Sequence, residues 1–272
     1  MRKTCVPKVS VITICYNAEC EIEKTLLSVI NQCYTNIEYI IVDGASNDKT
    51  VDIIKKYSSS ITRWKSEPDR GCYDAMNKGI DMATGDWIVF MNSGDSFYSN
   101  NSIAQAISKG EGADVIYGDV KVIASYGSYE LAPYPIDFFD KGIMPFCHQS
   151  CFVKMKLIRK YRFKIQYKIS ADFDSLYSIW KETKNFCYIP MTIATYDVSG
   201  GSLSFDHYER VLKENYKIMD KGDIKSCIIL YVNIAKFYIK KAIFIIFSKL
   251  DYKSKYYRRV LDKNKYVKSK SW

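Results

Sequence analysis

From Val9 to Cys15 the chain runs Val-Ser-Val-Ile-Thr-Ile-Cys, a β-branched stretch that predicts a strand buried on both faces. A polar segment at residues 17–23 follows, and then Ile22, Leu26, Leu27 and Ile30 recur at the spacing of one helical face. Residues 38–42 form a second apolar strand ending in Asp43-Gly44-Ala45-Ser46, and residues 47–57 read as a helix carrying Val51, Ile54 and Tyr57. Residues 64–66 mark a short third strand, residues 73–82 a helix, and residues 87–91 (Trp-Ile-Val-Phe-Met) a fourth strand closing on Asn92-Ser93-Gly94-Asp95. Strand and helix alternating with short links predict an α/β fold with a mixed, mainly parallel sheet and helices on both faces. Further on, the pattern gives a helix near 102–108, strands at 115–117 and 120–123, and a Tyr/Pro-rich loop over 126–146 that crosses the sheet. Helical spacing returns at 152–160 and 173–184. No internal repeat interrupts the series.

In open α/β sheets ligands bind beyond the carboxyl ends of the strands. Three polar clusters fall at such ends: Tyr16-Asn17 after the first strand, Asp43 after the second, and Asn92–Asp95 after the fourth. One Asp after a strand serves equally well as a turn or cap residue. Three clusters on one rim, with Glu67-Pro68-Asp69 nearby, point to a polar ligand bearing a metal or a diphosphate.

The net charge of +10 changes this picture only at one end. Residues 224–272 hold 13 Lys and Arg against Asp251 and Asp262, which leaves the rest of the chain almost neutral. That distribution excludes a nucleic-acid-binding body and predicts a local contact with an anionic surface. Within the tail, residues 227–250 are apolar, with Asn233, Lys236 and Lys240 on one helical stripe, and a Lys/Arg- and Tyr-rich segment follows at 253–270. This amphipathic helical tail suits either the surface of an anionic bilayer or docking on the preceding domain. The nine cysteines are odd in number and lack a CxxC pair, which predicts buried thiols in a reducing cytoplasm. The start of the chain is too polar for a signal peptide, and no run of 18 uncharged apolar residues predicts a membrane-spanning helix. The expected location is therefore cytoplasmic, peripheral on the inner face of the cytoplasmic membrane.

Residues 7–17 (Pro-Lys-Val-Ser-Val-Ile-Thr-Ile-Cys-Tyr-Asn), 28–32 (Ser-Val-Ile-Asn-Gln) and 40–50 (Ile-Ile-Val-Asp-Gly-Ala-Ser-Asn-Asp-Lys-Thr) resemble the opening of a family 2 glycosyltransferase. Residues 66–79 (Ser-Glu-Pro-Asp-Arg-Gly-Cys-Tyr-Asp-Ala-Met-Asn-Lys-Gly), with Gly85 and Met-Asn-Ser-Gly-Asp at 91–95, resemble a narrower bacterial subgroup of colanic-acid, O-antigen and capsule biosynthesis. The resemblance runs from about Lys8 to Leu203. It implies a GT-A (Rossmann-like) catalytic domain over 1–222, with a nucleotide-sugar half at about 8–120, an acceptor half at about 121–222, and the basic tail at 223–272. It also implies inversion at the anomeric carbon, a UDP-sugar donor and a polyprenyl-diphosphate-linked saccharide acceptor.

Residue roles carry over position by position. The family's Asp-x-Asp loop, which holds Mn2+ or Mg2+ against the donor diphosphate, reads Asn92-Ser93-Gly94-Asp95 here. Asp95 is therefore expected as the sole protein carboxylate on the metal, with Asn92 and Ser93 beside the nucleotide sugar. Tyr16 matches the position packing on the base, with Asn17 next to it, and Asp43 the acid for base or ribose, although Gly44 replaces a second acid. Glu67, Asp69, Arg70, Asp74, Asn77 and Lys78 flank the nucleotide; Asp74 also suits the helix dipole, and Lys78 a solvated surface. Ile169–Leu176 matches the segment that supplies the general base, with Ala171 in place of the first acid, Asp172 as base and Asp174 as structural. His148 and Gln149 are expected in acceptor contact or in loop movement, and Gly200-Gly201-Ser202 in a loop that closes over the donor.

Two other enzyme classes fit less well. A sugar nucleotidyltransferase wants a glycine-rich basic loop where Tyr16-Asn17-Ala18-Glu19 stands, and a dehydrogenase wants GxGxxG. The missing acids at Asn92, Gly94 and Ala171 keep open a binding protein that has lost catalysis.

Overall fold

The computed structural model describes residues 6–124, 127–199 and 207–220, together with Tyr231, Val232, Ile234, Ala235, Tyr238 and Ile239. Strands β1 (Val9–Cys15), β2 (Ile37–Asp43), β3 (Arg63–Ser66) and β4 (Trp87–Phe90) lie in the order β3-β2-β1-β4, all parallel. The sheet continues through β8 (Cys151–Lys154), β6 (Val115–Ala124), β9 (Phe186–Asp197) and β5 (Ser96–Phe97), and β7 (Gly127–Leu131) pairs with β6. β8 runs antiparallel between β4 and β6, so β4, β6 and β9 share one direction.

Both faces of the sheet are covered, which explains the unbroken apolar runs. Ile12, Ile14, Ile40, Val42, Ile88 and Phe90 point to one core. It is shared with α3 (Cys72–Met82), α5 (Met155–Lys160) and α6 (Ala171–Thr183). Val9, Val11, Tyr39, Ile41, Trp87 and Val89 point to the other. That face receives α1 (Ile22–Ile30), α2 (Thr50–Lys56) and α4 (Ser102–Lys109). Helix α3 sits close because Gly79 carries no side chain: a Cβ there would lie 2.6 Å from Ile12 Cγ2. A further helix, α7 (Tyr208–Ile218), packs against α6.

The second half differs from the sequence pattern in four places. Residues 152–160 are a strand and then a helix, because the short apolar run Cys151–Lys154 fits between β4 and β6, and helix and strand are indistinguishable over so few residues. The two expected strands at 115–117 and 120–123 are one, β6, whose register shifts on either side of Asp119. Residues 126–146 contain β7 and a 3-10 helix, Ile136–Lys141, rather than loop alone. The pattern left β9 unmarked because Pro190 and Met191 bulge out of its pairing, Ile189 and Thr192 being opposite Gly118 and Asp119. None of the seven described cysteines forms a disulfide. No helix among the described residues is long and apolar enough to cross a membrane. The proposed stripe of Asn233, Lys236 and Lys240, the segment 253–270 and the Gly200-Gly201-Ser202 loop lie outside the described residues.

At the amino ends of the strands, away from the ligand rim, Glu38 is buried and ties three segments together. Its carboxylate accepts from Ser10 Oγ at 2.6 Å, Thr84 N–H at 2.6 Å and Thr84 Oγ1 at 2.8 Å. Burial pushes the carboxyl up, but these donors and Lys8 outweigh it and leave its pKa below the usual glutamate value. A depressed folded-state pKa stabilises the protein above the unfolded value and loses that contribution as the pH falls. Glu38→Gln is therefore expected to cost roughly 1–3 kcal/mol at pH 7 in denaturant melts. The gap to wild type should narrow below about pH 4.5, and a gap constant down to pH 3 contradicts the assignment.

Candidate active site

The carboxyl ends of β1, β2 and β4 form the rim on which the polar clusters meet. After β1, Asn17 takes a left-handed φ of 47° and its Oδ1 accepts from Asn47 N–H at 2.9 Å. Its own N–H donates to Ser46 Oγ at 2.8 Å, so the loops after β1 and β2 are stitched together. Asp43 lies fully buried beneath them, accepting from Ser46 N–H at 3.0 Å, Ser46 Oγ at 2.5 Å and Ser66 Oγ at 2.6 Å. Its carboxylate thus braces the loops that surround it. Tyr16 stands out from the rim, 60% exposed, with a free aromatic face. A Cβ on Gly44 would lie 2.6 Å from Asp69 Oδ2 and 3.3 Å from the Tyr16 ring, so Asp69 and Tyr16 close around that glycine.

The segment before and along α3 is a lattice of ion pairs. Lys78 lies 3.0 Å from Glu67 and donates to Pro68 O at 2.7 Å, and Arg70 pairs with Asp74 at 2.9 Å. The Asp74 carboxyl is held below the usual aspartate range, first by the Arg70 hydrogen bond. Asn77 donates to Phe163 O at 2.7 Å and accepts from Phe163 N–H at 3.2 Å. It fastens α3 to the approach to α6.

The Asn92–Asp95 loop meets the second half through one dipeptide. Because β8 is antiparallel to β4, the turn before it, a 3-10 helix at His148–Ser150, arrives at the carboxyl end of β4. Gln149 Nε2 donates to Asp95 Oδ2 at 3.0 Å, and Asp197 N–H donates to Asp95 Oδ1 at 3.4 Å. His148 Nε2 lies 3.3 Å from Asn92 Nδ2, and His148 Nδ1 lies 3.4 Å from Asp172 Oδ2. Asp172 sits in the first turn of α6, its Oδ1 accepting from Phe173 N–H at 2.9 Å and sharing the Tyr73 phenol proton, 2.9 Å away, with Ile169 O at 2.6 Å. The loop entering α6 is held from α7, where Glu214 accepts from the N–H groups of Lys168, Ile169 and Ser170 at 3.2, 3.0 and 3.1 Å. Sequence reasoning missed Glu214, and it missed Lys24, which donates to Gly94 O and pairs with Asp197, each at 3.3 Å. Both act across long separations, and the only local signal was a charged residue on a helix.

Whether this rim suits a divalent cation turns on its oxygens. No group of three or more His, Cys, Asp or Glu able to enclose a metal occurs among the described residues. Asp95 is the one carboxylate of the loop, while Asn92 Oδ1 and Ser93 Oγ are buried without a hydrogen-bond partner. An amide oxygen only accepts, so diphosphate oxygens cannot satisfy Asn92 Oδ1, whereas a cation or a hydroxyl does. These hard oxygen donors fit Mn2+ or Mg2+ with most of the coordination shell left to water and phosphate.

Asp95 is only 5% exposed, and burial raises its pKa to about 6 against the pull of Gln149 and neighbouring His148. A carboxyl with a raised pKa favours folding when protonated, so its ionisation costs stability as the pH rises from about 4 to 6. With chelator present, Asp95→Asn is expected to be more stable than wild type by on the order of 2 kcal/mol at pH 8 and to lose that advantage by pH 4. Melting curves at the two pH values check this, and an asparagine variant less stable at pH 8 contradicts it.

The sequence model of glycosyl transferase family 2 matches residues 10–162. A PGL/p-HBAD biosynthesis glycosyltransferase of Mycobacterium bovis is 29% identical over 205 residues, covering 72% of this chain and 78% of its own. An uncharacterized glycosyltransferase of Mycobacterium tuberculosis is 34% identical over 180 residues, covering 62% and 67%. Among solved structures, S. aureus TarS 1–349 in complex with UDP covers 81% of this chain and 68% of its own at a TM-score of 0.59 and 19% identity. The mannosyltransferase PcManGT from Pyrobaculum calidifontis, in complex with GDP-Man and Mn2+, covers 79% and 65% at 0.61 and 18%. These two share the fold. With the family model spanning more than half of its length and a GT-A sheet beneath the rim, the chain belongs to glycosyl transferase family 2 and is a glycosyltransferase.

Proposed function

We propose that the enzyme is an inverting transferase that moves a hexose or N-acetylhexosamine from a UDP-sugar to a saccharide carried on a polyprenyl diphosphate, in the synthesis of a bacterial surface polysaccharide. One observation carries this reading: Asp95 on the first-half rim and Asp172 at the start of α6 touch adjacent residues, Gln149 and His148. A diphosphate loop and a candidate base are thereby held on either side of one turn, as a single displacement requires. The ligands bound in the structural neighbours, UDP and UDP-GlcNAc in TarS and GDP-Man in the mannosyltransferase, support a sugar nucleotide as donor.

In this reading the donor half covers about 8–120 and the acceptor half about 121–222. The base of the nucleotide stacks on the exposed Tyr16 ring, with Asp69 beside it and Asp43 bracing the loops from below. Asn17 and the pairs among Glu67, Arg70, Asp74 and Lys78 fix the shape of the nucleotide's surroundings, while Asn77 holds α3 to the second half. Ser93 Oγ donates to a diphosphate oxygen. Asp95, with Asn92 Oδ1, is the protein's share of a Mn2+ or Mg2+ site, and the cation supplies neutralisation of charge on the departing nucleoside diphosphate.

Asp172 does the proton chemistry. Its Oδ1 is occupied by Tyr73 and Phe173, leaving Oδ2 to take the acceptor hydroxyl proton as that oxygen bonds to the anomeric carbon. The bond from the anomeric carbon to the diphosphate oxygen breaks in the same displacement, and the configuration inverts. Burial, and then the Asp172 charge beside it, hold the Tyr73 phenol protonated and donating.

A panel of UDP-, GDP- and TDP-sugars with a synthetic polyprenyl-diphosphate saccharide tests the reading through nucleotide release, with and without Mn2+. Asp172→Asn is expected to lose about 1,000-fold in kcat, and Tyr16→Ala to raise donor KM about tenfold. Equal rates in wild type and Asp172→Asn remove the base assignment. Binding of a sugar nucleotide without transfer by wild type favours instead a binding protein, the reading that Asn92, Gly94 and Ala171 in place of acids keep alive.

The basic segment 224–272 is proposed to rest on the anionic inner face of the cytoplasmic membrane. The exposed Tyr231, Val232 and Ile239, which fall on one side of a helical repeat, support it. Flotation with vesicles containing about 30% anionic lipid is expected to carry the full chain, and 0.5 M salt to release it. Flotation equal with neutral vesicles sinks this part.

A further inference from the structure

The imidazole of His148 occupies a place that neither the expected Asp-x-Asp loop nor the base segment accounts for. It is three-quarters enclosed, with a side-chain exposure of 23%, and Asp172 beside it stands at 18%. Its two nitrogens face opposite directions in the molecule. Nε2 meets the Asn92 amide on the loop after β4, and Nδ1 meets Asp172 Oδ2 at the start of α6. A carboxylate oxygen only accepts, so a hydrogen bond at this approach needs the ring proton on Nδ1, which leaves Nε2 as the acceptor toward the Asn92 amide 3.3 Å away.

We propose that His148 is a positioning residue that holds Asp172 Oδ2 in place from the donor loop. The inference rests on Asp172 being the base. Oδ1 of Asp172 is pinned by Tyr73 Oη and Phe173 N–H, which fix the carboxylate at one oxygen and leave it free to pivot. His148 Nδ1, 3.4 Å from Oδ2, restrains that pivot and leaves Oδ2 open on its other side to the acceptor proton. The far nitrogen is tied to Asn92, three residues from Asp95, and the next residue, Gln149, is bonded to Asp95 itself. The donor loop and the oxygen that takes the proton are thereby held to one another through one rigid ring.

The chain has only two histidines, His148 and His207, so imidazole 15N spectra of the full-length protein read the contact directly. His207→Gln assigns the two sets of signals. At pH 8 His148 is expected as the Nδ1–H form. Asp172→Asn should move its Nδ1 resonance and Asn92→Ala its Nε2 resonance, and both should leave His207 in place. In the transfer assay, His148→Asn, whose amide reaches the Nδ1 position, should keep kcat within about threefold. His148→Gln, whose amide reaches toward Asn92 instead, should lose about 100-fold in kcat with donor KM within about twofold. In the Asp172→Asn background neither substitution should lower the rate further.

An Nε2–H form of His148, or an Nδ1 signal indifferent to Asp172→Asn, overturns the proposal whatever the activity data show. So does a His148→Gln enzyme as fast as wild type while Asp172→Asn is inactive, a result that leaves the base assignment standing. A fully active Asp172→Asn enzyme takes down the base assignment and the positioning role with it.

Discussion

The active rim depends on β8 entering the sheet antiparallel between β4 and β6. A parallel strand there would deliver its preceding turn to the far end, beside Glu38. The antiparallel one delivers His148, Gln149 and Ser150 to the end where β1, β2 and β4 terminate. Ser150 anchors that turn to the second half by donating to Gly118 O at 2.9 Å, at the bulge between β6 and β9. His148 and Gln149 are then held on a short turn over two strands rather than on a free loop. A side chain supported in that way keeps its rotamer, which a bifunctional contact to Asn92 and Asp172 requires.

That arrangement has an energetic cost concentrated in Asp95. A carboxyl so deeply buried is easier to keep neutral than charged, and its donors, Gln149 and one backbone N–H, compensate only part of the lost hydration. Glu38 shows the contrast within the same sheet. It is buried as deeply, yet it has two hydroxyls and a backbone N–H, and its carboxyl is held down rather than up. Both acids sit at strand ends in the same fold. The difference lies in the donors and in the cations Lys8 and Arg63, 3.5 and 3.8 Å from Glu38, and a shortage of such partners around an acid on a ligand rim is what a cation would make good.

How much of this was legible beforehand follows from which interactions are local. The first four strands and their helices could be read because both faces of the sheet bury alternate residues, leaving runs such as Val9–Cys15 without a charge and buried at every position. The rim acids could be placed because each ends such a run. The second half resisted because its strands are assembled from distant partners. β8 is four residues long and resembles the helix that follows it, and β9 is broken in pattern by Pro190. The contacts that define the site, Gln149 to Asp95 and Asp172 to Tyr73, join residues 54 and 99 positions apart, and no spacing rule reaches so far. Asn77 shows the reverse. A motif position in the donor half turned out to hold the chain to Phe163.

The glycines where the family carries acids follow a common physical logic. At Gly44 a side chain would run into Asp69 Oδ2, and at Gly94, with φ of 94°, it would meet Glu21 Oε2 at 3.0 Å. Each glycine therefore has a carboxylate from another segment lying against the space its own side chain would take. An acid at either place would set two like charges in contact, and at Gly94 it would also need a backbone conformation that L-residues rarely adopt. The acid that a scan for Asp-x-Asp looks for would therefore stand against one the chain already has at that place. Asp172 is held differently. Its position is set by Glu214 through three backbone N–H groups, by Tyr73 through the phenol and by His148 through the imidazole, and no other carboxylate among the described residues touches His148.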